Sequence, residues 1–176
     1  MEFRKALKAD IPSIMGIIKQ AQDYLKDQNI DQWQNNYPNV GTIENDINNG
    51  NSYVLLKDNL VVGTVAIIFT GEKTYDSIYN GQWISHGPYA VIHRIAIDLN
   101  HKGLGLSSMI LEDIEKLCHD KNIKSIKVDT HKQNIPMQKF LQKDNFQYCG
   151  IIYLESGNER IAFEKEIGRA SCRERV

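Results

Sequence analysis

The sequence from Ile95 to Ser107 reads IAIDLNHKGLGLS and joins a predicted strand directly to a predicted helix. Glycines such as Gly103 and Gly105 adopt positive φ readily and let the main chain approach a ligand closely. The first N–H groups of a helix lack intrahelical partners and carry partial positive charge, which favours anions. The segment therefore predicts a main-chain site for a pyrophosphate, to which Lys102 adds a point charge. The same glycines also fit a turn that is tight only for packing.

Two other phosphate-binding motifs do not match this segment. A P-loop requires G-x-x-x-x-G-K-[ST], which the sequence does not contain. A dinucleotide fingerprint requires a third glycine where this chain has Ser108, and it should open the first β-α-β unit of a chain. A nucleotide-binding protein that uses Gly103 is therefore the weaker hypothesis.

The composition is that of one soluble globular domain, with 176 residues of which 41% are hydrophobic and 24% charged. Apolar runs such as Val65–Phe69 are far shorter than the ~20 residues a bilayer requires, and no secretory signal is expected. The formal net charge of −1 argues against nucleic-acid binding by bulk electrostatics.

Frequent Ile, Lys and Asn favour a low-GC bacterium as the source. Cys118 and Cys149, both in apolar patterns, favour the reducing cytoplasm.

The C-terminal residues 167–176 differ in composition from the rest of the chain. Gly168–Val176 hold three of the six arginines and one of the three cysteines. We interpret 167–176 as a non-native tail added by read-through of an adapter sequence, with a genuine basic tail as the alternative. The single domain then spans residues 1–166.

Hydrophobic periodicity predicts a mixed α/β sheet with helices on both faces, because the element order contains β-α-β units. Asp10 and Thr42 are the expected N-caps of the first two helices, and Asp58-Asn59 is the expected hairpin turn. The predicted strands span 2–6, 52–57, 60–70, 89–99, 124–129, 146–154 and 160–166, and the predicted helices span 10–25, 42–50, 106–118 and 134–143.

Two motifs in this order resemble the GCN5-related N-acetyltransferase (GNAT) superfamily over Glu2–Glu166. The pyrophosphate motif [Q/R]-x-x-G-x-[G/A] is similar to Asn100–Gly105, which we name the glycine loop, with Asn100 in the Gln/Arg place. The later motif N-x-x-A-x-x-F-Y-x-K-x-G-F is similar to Asn134–Phe146, with Leu141 in the tyrosine place. The resemblance implies a GNAT-like sheet whose parallel strands splay apart near Ile97 and Lys127.

The resemblance also implies acetyl-CoA as co-substrate and assigns residues to it. Main-chain groups of Ile95, Ala96 and Ile97 would bind the pantetheine arm like an added strand. Asn134 would contact the co-substrate near its thioester, and it is equally well placed to cap a helix. The pyrophosphate would be held by the N–H groups of Lys102, Gly103, Leu104, Gly105, Leu106 and Ser107.

The implied reaction is attack of an amine on a thioester, which requires a base. In related ribosomal-protein acetyltransferases a carboxylate lies five residues before the motif Asn, and that place is Asp129 here. It also suits a carboxylate that caps a turn. A tyrosine acid lies seven residues after the motif Asn in those enzymes, but this chain has Leu141 there. Water or another tyrosine, Tyr148 for example, would replace it, unless no acid is needed.

Two histidines are rival bases, since a histidine titrates near neutral pH. His93 shares a predicted strand face with Ile95 and Ile97, and His131 lies close to Asp129 in sequence; a packed histidine is the ordinary explanation for His93. Arg94 faces the other way and suits a structural ion pair. Cys118 and Cys149 are not expected to be nucleophiles, because no histidine motif flanks them.

The expected function is acetyl-CoA-dependent N-acetyl transfer to a primary amine of a small molecule or peptide. The acceptor would be bound by aromatic residues at Trp33, Tyr37 and 75–83, either as a cage for an amine or as cover for the core edge. The alternative is a non-catalytic sensor of acyl-CoA. No metal, nucleic-acid or membrane partner is expected, and the oligomeric state stays open, a homodimer included.

Overall fold

The structure is a computed structural model that describes residues 1–168. These residues form two compact units. The first unit comprises Met1–Ile67 and His93–Asp113, and the second comprises Ile68–Ile92 together with the chain from Ile114 onward. The tail predicted at 167–176 lies outside the described residues except for Ile167 and Gly168. Ile167 is buried, and its N–H donates to the carbonyl of Lys124 at 2.9 Å.

The first unit is built on an antiparallel sheet. β1 (Glu2–Lys5) pairs with β2 (Ser52–Lys57), and β2 pairs with β3 (Leu60–Ile68) through the predicted hairpin at Asp58-Asn59. Both turn residues have positive φ, 52° and 65°, which matches the twist of a two-residue hairpin. The elements with residues in this unit are β1 (Glu2–Lys5), α1 (Ile11–Asp27), α2 (Val40–Asn48), β2 (Ser52–Lys57), β3 (Leu60–Ile68), the end of β4 (Ala90–Ile97) and the start of α3 (Leu106–Asp120).

Helices cover both faces of the strands in this unit. Ile14 and Ile18 of α1 pack with Val54 of β2 in one buried cluster. Gly63 lies on the other face, where an added Cβ would come 3.0 Å from Ile97 Cδ1 and 3.1 Å from Ile110 Cδ1 of α3. The absence of a side chain at Gly63 therefore lets α3 pack closely against β3.

The two predicted N-caps differ in detail from the structure. Asp10 stands at the N-cap position of α1, but its carboxylate accepts from Leu7 N at 2.7 Å and from Arg4 rather than from the helix. The N-cap of α2 is Asn39, not Thr42. Asn39 accepts from Thr42 N at 3.0 Å, and the Thr42 hydroxyl accepts from Asn39 N in return. The prediction placed the start of α2 two residues late because its first turn contains Gly41, a residue of low helix propensity.

The second unit carries the mixed part of the sheet. The start of β4 pairs in parallel with β5 (Ser125–Thr130), while β7 (Glu159–Glu166) pairs antiparallel with both β5 and β6 (Gln147–Tyr153). α4 (Ile135–Lys143) connects β5 to β6. Among residues 1–168 the parallel ladder consists of Ala90↔Ile126 and Val91↔Lys127, although β5 continues to Thr130. The predicted α/β class, a mixed sheet that includes a pair of parallel strands, is confirmed.

One residue breaks the regular alternation predicted for β4. Arg94 has φ of +53°, which is unfavourable for a side-chain-bearing residue. Its guanidinium makes a bidentate pair with Asp46, with Nε to Oδ2 at 2.8 Å and Nη2 to Oδ1 at 2.6 Å, and Nη1 donates to the Tyr37 hydroxyl at 2.9 Å. Both charged side chains are largely buried. Arg94 is thus the structural ion-pair partner that the sequence suggested, and it holds α2 to β4.

No helix within residues 1–168 combines the length and the apolar character needed to cross a membrane.

Candidate active site

The glycine loop leads from β4 into α3 and exposes its main chain. Gly103 and Gly105 have φ of +80° and +74°, and a Cβ added at either would meet no atom within 4 Å. The N–H of Met109 donates to Gly105 O at 3.1 Å, so the N–H groups of Leu106 and Ser107 precede this bond in the first turn of α3. Open space beside an uncrowded main chain at a helix start is the arrangement that binds a phosphate group.

The approach to the glycine loop is fixed by Asp98 and Gln20. Gln20 Nε2 donates to Asp98 Oδ1 at 3.0 Å, and Leu99 N donates to Gln20 Oε1 at 2.8 Å. The other carboxylate oxygen, Asp98 Oδ2, is 2.7 Å from His101 Nδ1. Lys102, which follows, is exposed, with Nζ 5.4 Å from the ring centroid of Tyr24. α1 thereby holds the loop while Lys102 stays available to a ligand.

The carboxylate of Asp98 should make stability depend on pH. Its hydrogen bonds, with His101 first and Gln20 second, lower the pKa of Asp98 below its ordinary value of 3.8. A lowered native pKa adds stability that is present above pH 3.8 and is lost as pH falls through the native value. We expect urea midpoints of the wild type to fall more steeply below that pH than those of Asp98→Asn. Parallel acid profiles would contradict this role.

In the second unit, Asp129 lies near the end of β5 and is bonded to a buried tyrosine. The hydroxyl of Tyr75 donates to Asp129 Oδ2 at 2.6 Å, and Tyr75 is 2% exposed. Burial, together with the charge of Asp129, raises the pKa of Tyr75 well above its ordinary value. Tyr75 therefore stays protonated at neutral pH and acts as a donor. Sequence reasoning missed this pair because its members lie 54 positions apart with no local pattern linking them.

Two residues before Asp129, on the same face of β5, a buried lysine lies between aromatic rings. Lys127 is 3% exposed, with Nζ 4.1 Å from the ring centroid of Tyr89 and 4.4 Å from that of Trp83. Burial lowers the pKa of Lys127, against the opposing charge of Glu164 across the β5–β7 ladder. Glu164 is fully buried and accepts from Ile84 N at 2.9 Å and Ser125 Oγ at 2.7 Å.

These contacts bear on the aromatic cage expected for the acceptor. Trp83 is buried and its ring is occupied by Lys127 of the chain itself. Trp33 packs against the core of the first unit, and the Tyr37 hydroxyl accepts from Arg94. Trp33 and Trp83 thus pack within the fold, whereas Tyr37 and Tyr79 of the same predicted set are exposed.

The remaining predicted site residues have the following places. Asn134 caps α4, with its side-chain oxygen accepting from Met137 N at 3.3 Å. His131 Nδ1 accepts from Gln133 N at 3.1 Å, so the proton of the neutral ring is on Nε2. His93 lies in β4 within the first unit and is half-buried, as are Ile95 and Ile97, while Ala96 between them is buried. Among residues 1–168, no group of His, Cys, Asp and Glu is arranged to hold a metal ion.

The two cysteines in the described chain are poor nucleophiles. Burial raises the pKa of Cys118 to about 12 and that of Cys149 to about 11. Both side chains are buried and remain thiols at neutral pH, and the thiolate is the reactive form. An acyl-enzyme formed on either residue is therefore disfavoured, in agreement with the sequence.

Comparisons with known proteins agree with this arrangement. The profile of the "Acetyltransferase (GNAT) family" matches residues 18–146. An acetyltransferase of the GNAT family from Streptococcus agalactiae 2603, known from its crystal structure, is 33% identical to this chain in sequence. The match covers 96% of each chain, and the two structures superpose with a TM-score of 0.86.

Two more distant proteins are also similar. "Uncharacterized N-acetyltransferase YesJ" from Bacillus subtilis (strain 168) is 21% identical over 164 residues, which are 92% of this chain and 88% of that protein. The ribosomal-protein-alanine N-acetyltransferase from Brucella melitensis shares the fold, at 14% identity and a TM-score of 0.68 over 95% of this chain and 100% of that one. The chain belongs to the acetyltransferase (GNAT) family and is an acyltransferase.

Proposed function

We propose that this protein transfers the acetyl group of acetyl-CoA to a primary amine of a small molecule or peptide by direct attack. The observation that carries the proposal is the glycine loop, with two open positive-φ glycines at the start of α3. Its N–H groups, from Lys102 to Ser107, suit a pyrophosphate. Main-chain groups of Ile95, Ala96 and Ile97 would bind the pantetheine arm. We also place the protein in the bacterial cytoplasm, because the relatives are bacterial and both described cysteines are free.

The proposed reaction needs a general base and a hydrogen-bond donor to the carbonyl oxygen, and it proceeds without an acyl-enzyme. The amine nitrogen bonds to the acetyl carbon, the C–S bond breaks, and the amine proton passes to Asp129 directly or through water. An N–H of β4 would donate to the carbonyl oxygen as it gains charge. The sulfur leaves as a thiolate and takes a proton from solvent. Holding both reactants side by side supplies much of the rate. His93 and His131 are the alternative bases.

The direct test is release of free thiol from acetyl-CoA in the presence of a panel of primary amines. Amine-dependent release, with mass spectrometry showing one added acetyl group on the amine, would support the proposal. Thermal shifts with CoA and with ATP form the companion measurement, since a ligand that binds the native state raises the melting temperature. Stabilisation by ATP alone would contradict it.

The second candidate function is a non-catalytic sensor of acyl-CoA. The observation that favours it is Leu141, which is fully buried in α4 at the place where related enzymes have a tyrosine acid. Tight CoA binding without thiol release across the whole amine panel would favour the sensor.

A role of Asn134 in binding acetyl-CoA can be separated from its role as the N-cap of α4. Replacing Asn134 by alanine removes the cap of α4 and should lower the free energy of unfolding by about 1 kcal/mol. Asn39, which caps α2 by the same bond, is the matched control, and Asn39→Ala should cost a similar amount. We expect only Asn134→Ala to raise the KM for acetyl-CoA, by several-fold. Equal KM values in the two variants would restrict Asn134 to capping.

A further inference from the structure

Besides its bond to Asp129, Tyr75 is held in place by contacts on several sides. It ends a 3-10 turn, Lys73–Tyr75, and its ring centroid lies 5.2 Å from that of Trp83 and 6.4 Å from that of Tyr89. Its carbonyl accepts from Trp83 Nε1 at 2.8 Å. A phenol this tightly packed has little freedom, so the direction of its O–H bond to Asp129 is set by the core rather than by solvent.

The surroundings of the pair decide what the bond can do. The charged and titratable groups that face it are Glu72 and Tyr89 from the segment after β3, Lys127 on the same face of β5, Glu164 on β7 and Cys149 on β6. Lys127 is engaged by Trp83 and Tyr89. Tyr75 itself stays protonated, so it donates to the carboxylate at neutral pH and cannot take a proton from it.

Neither of the two positions considered for a tyrosine acid offers this contact. The place of the related enzymes' tyrosine is Leu141, whose side chain is fully buried and has no hydroxyl. Tyr148 is 53% exposed, and its ring packs edge-on against Phe163 of β7 at 5.9 Å. Tyr75 comes from a different element, the segment between β3 and β4.

We propose that Tyr75 is a positioning residue for acetyl transfer, which fixes the carboxylate of Asp129 through the bond to Oδ2 so that its orientation suits the incoming amine or its water. This inference rests on the proposed function, since it assumes that Asp129 receives the amine proton. A hydroxyl that donates to a carboxylate favours the charged form, so removal of this bond is expected to make the Asp129 carboxyl easier to protonate.

The test compares Tyr75→Phe with two controls, Tyr53→Phe on β2 and Tyr153→Phe on β6. Phenylalanine keeps the ring in the core and removes only the hydroxyl. We expect Tyr75→Phe to lower kcat by about tenfold and to move the acid limb of the kcat–pH profile upward by about one pH unit. The KM for acetyl-CoA should be unchanged, and both controls should match the wild type.

A double-mutant cycle separates positioning from general loss of structure. In an Asp129→Asn background, Tyr75→Phe should have no further effect on kcat, because the two residues act through one bond. Additive losses, or an unmoved acid limb, would overturn the proposal. A shift of the acid limb in Tyr148→Phe instead would assign the role to Tyr148.

A second readout does not depend on turnover. Carbon-13 NMR titration of the Asp129 carboxyl should show a higher midpoint in Tyr75→Phe than in the wild type. Equal midpoints would overturn the inference even if the enzyme is active. If no amine supports thiol release while the midpoints differ, the proposed function fails and the bond between Tyr75 and Asp129 stands as a purely structural one.

Discussion

Gly103→Glu is expected to weaken CoA binding by at least about 100-fold, since a carboxylate about 4 Å from a phosphate charge is repelled by several kcal/mol at moderate dielectric. The backbone adds to this effect. Gly103 has φ of +80°, a region that costs a side-chain-bearing residue roughly 1–2 kcal/mol, so the loop would change shape to relieve strain. Isothermal titration with CoA measures the loss.

A matched control exists in the turn between β6 and β7. Gly157 has φ of +88°, and a Cβ added there would also meet no atom within 4 Å. Gly157→Glu therefore carries the same backbone cost and the same charge change without touching the glycine loop. Its melting temperature should fall as much as that of Gly103→Glu, while its CoA affinity should equal that of the wild type. Equal CoA affinity in both variants would place the pyrophosphate elsewhere.

Asp129→Asn is expected to lower kcat by roughly 10²–10⁴-fold, the usual contribution of a general base. The amide keeps the shape of the carboxylate and can still accept from Tyr75, so the fold and the KM for acetyl-CoA should change little. The acid limb of the kcat–pH profile should disappear with the carboxylate. Stopped-time assays of thiol release across pH provide the measurement.

The controls for Asp129 address its rivals. Asp120→Asn changes an exposed carboxylate at the end of α3 and should leave kcat unaltered. His93→Gln and His131→Gln remove the alternative bases in turn. If one of them abolishes the acid limb while Asp129→Asn retains it, the histidine is the base and Asp129 is a structural partner of Tyr75.

Local patterns explain why much of the fold was predictable. Helix α3 follows from apolar residues that recur at helical spacing, and the β2–β3 turn follows from the pair Asp58-Asn59. Both signals involve residues only a few positions apart. The conformation of the glycine loop was predictable for the same reason, since two glycines between a strand and a helix readily adopt the positive φ values that the structure has.

The contacts that sequence reasoning missed are long-range pairs. Tyr75 meets Asp129, and Arg94 meets Asp46 across 48 positions, so neither pair has a spacing that a helix or strand would repeat. The positive φ of Arg94 is likewise maintained by its buried partner and not by its residue type. Such features follow from tertiary packing, which outweighs local preference.

The lysine between Trp83 and Tyr89 has a consequence for evolution of specificity. Because the chain supplies its own cation to these rings, no substrate has to complete that part of the interior, and the segment can be rigid with nothing bound. Under the proposed function, discrimination among amines would then depend on exposed positions, where substitutions cost little stability. New acceptors can therefore be acquired at the surface while the hydrophobic interior stays the same.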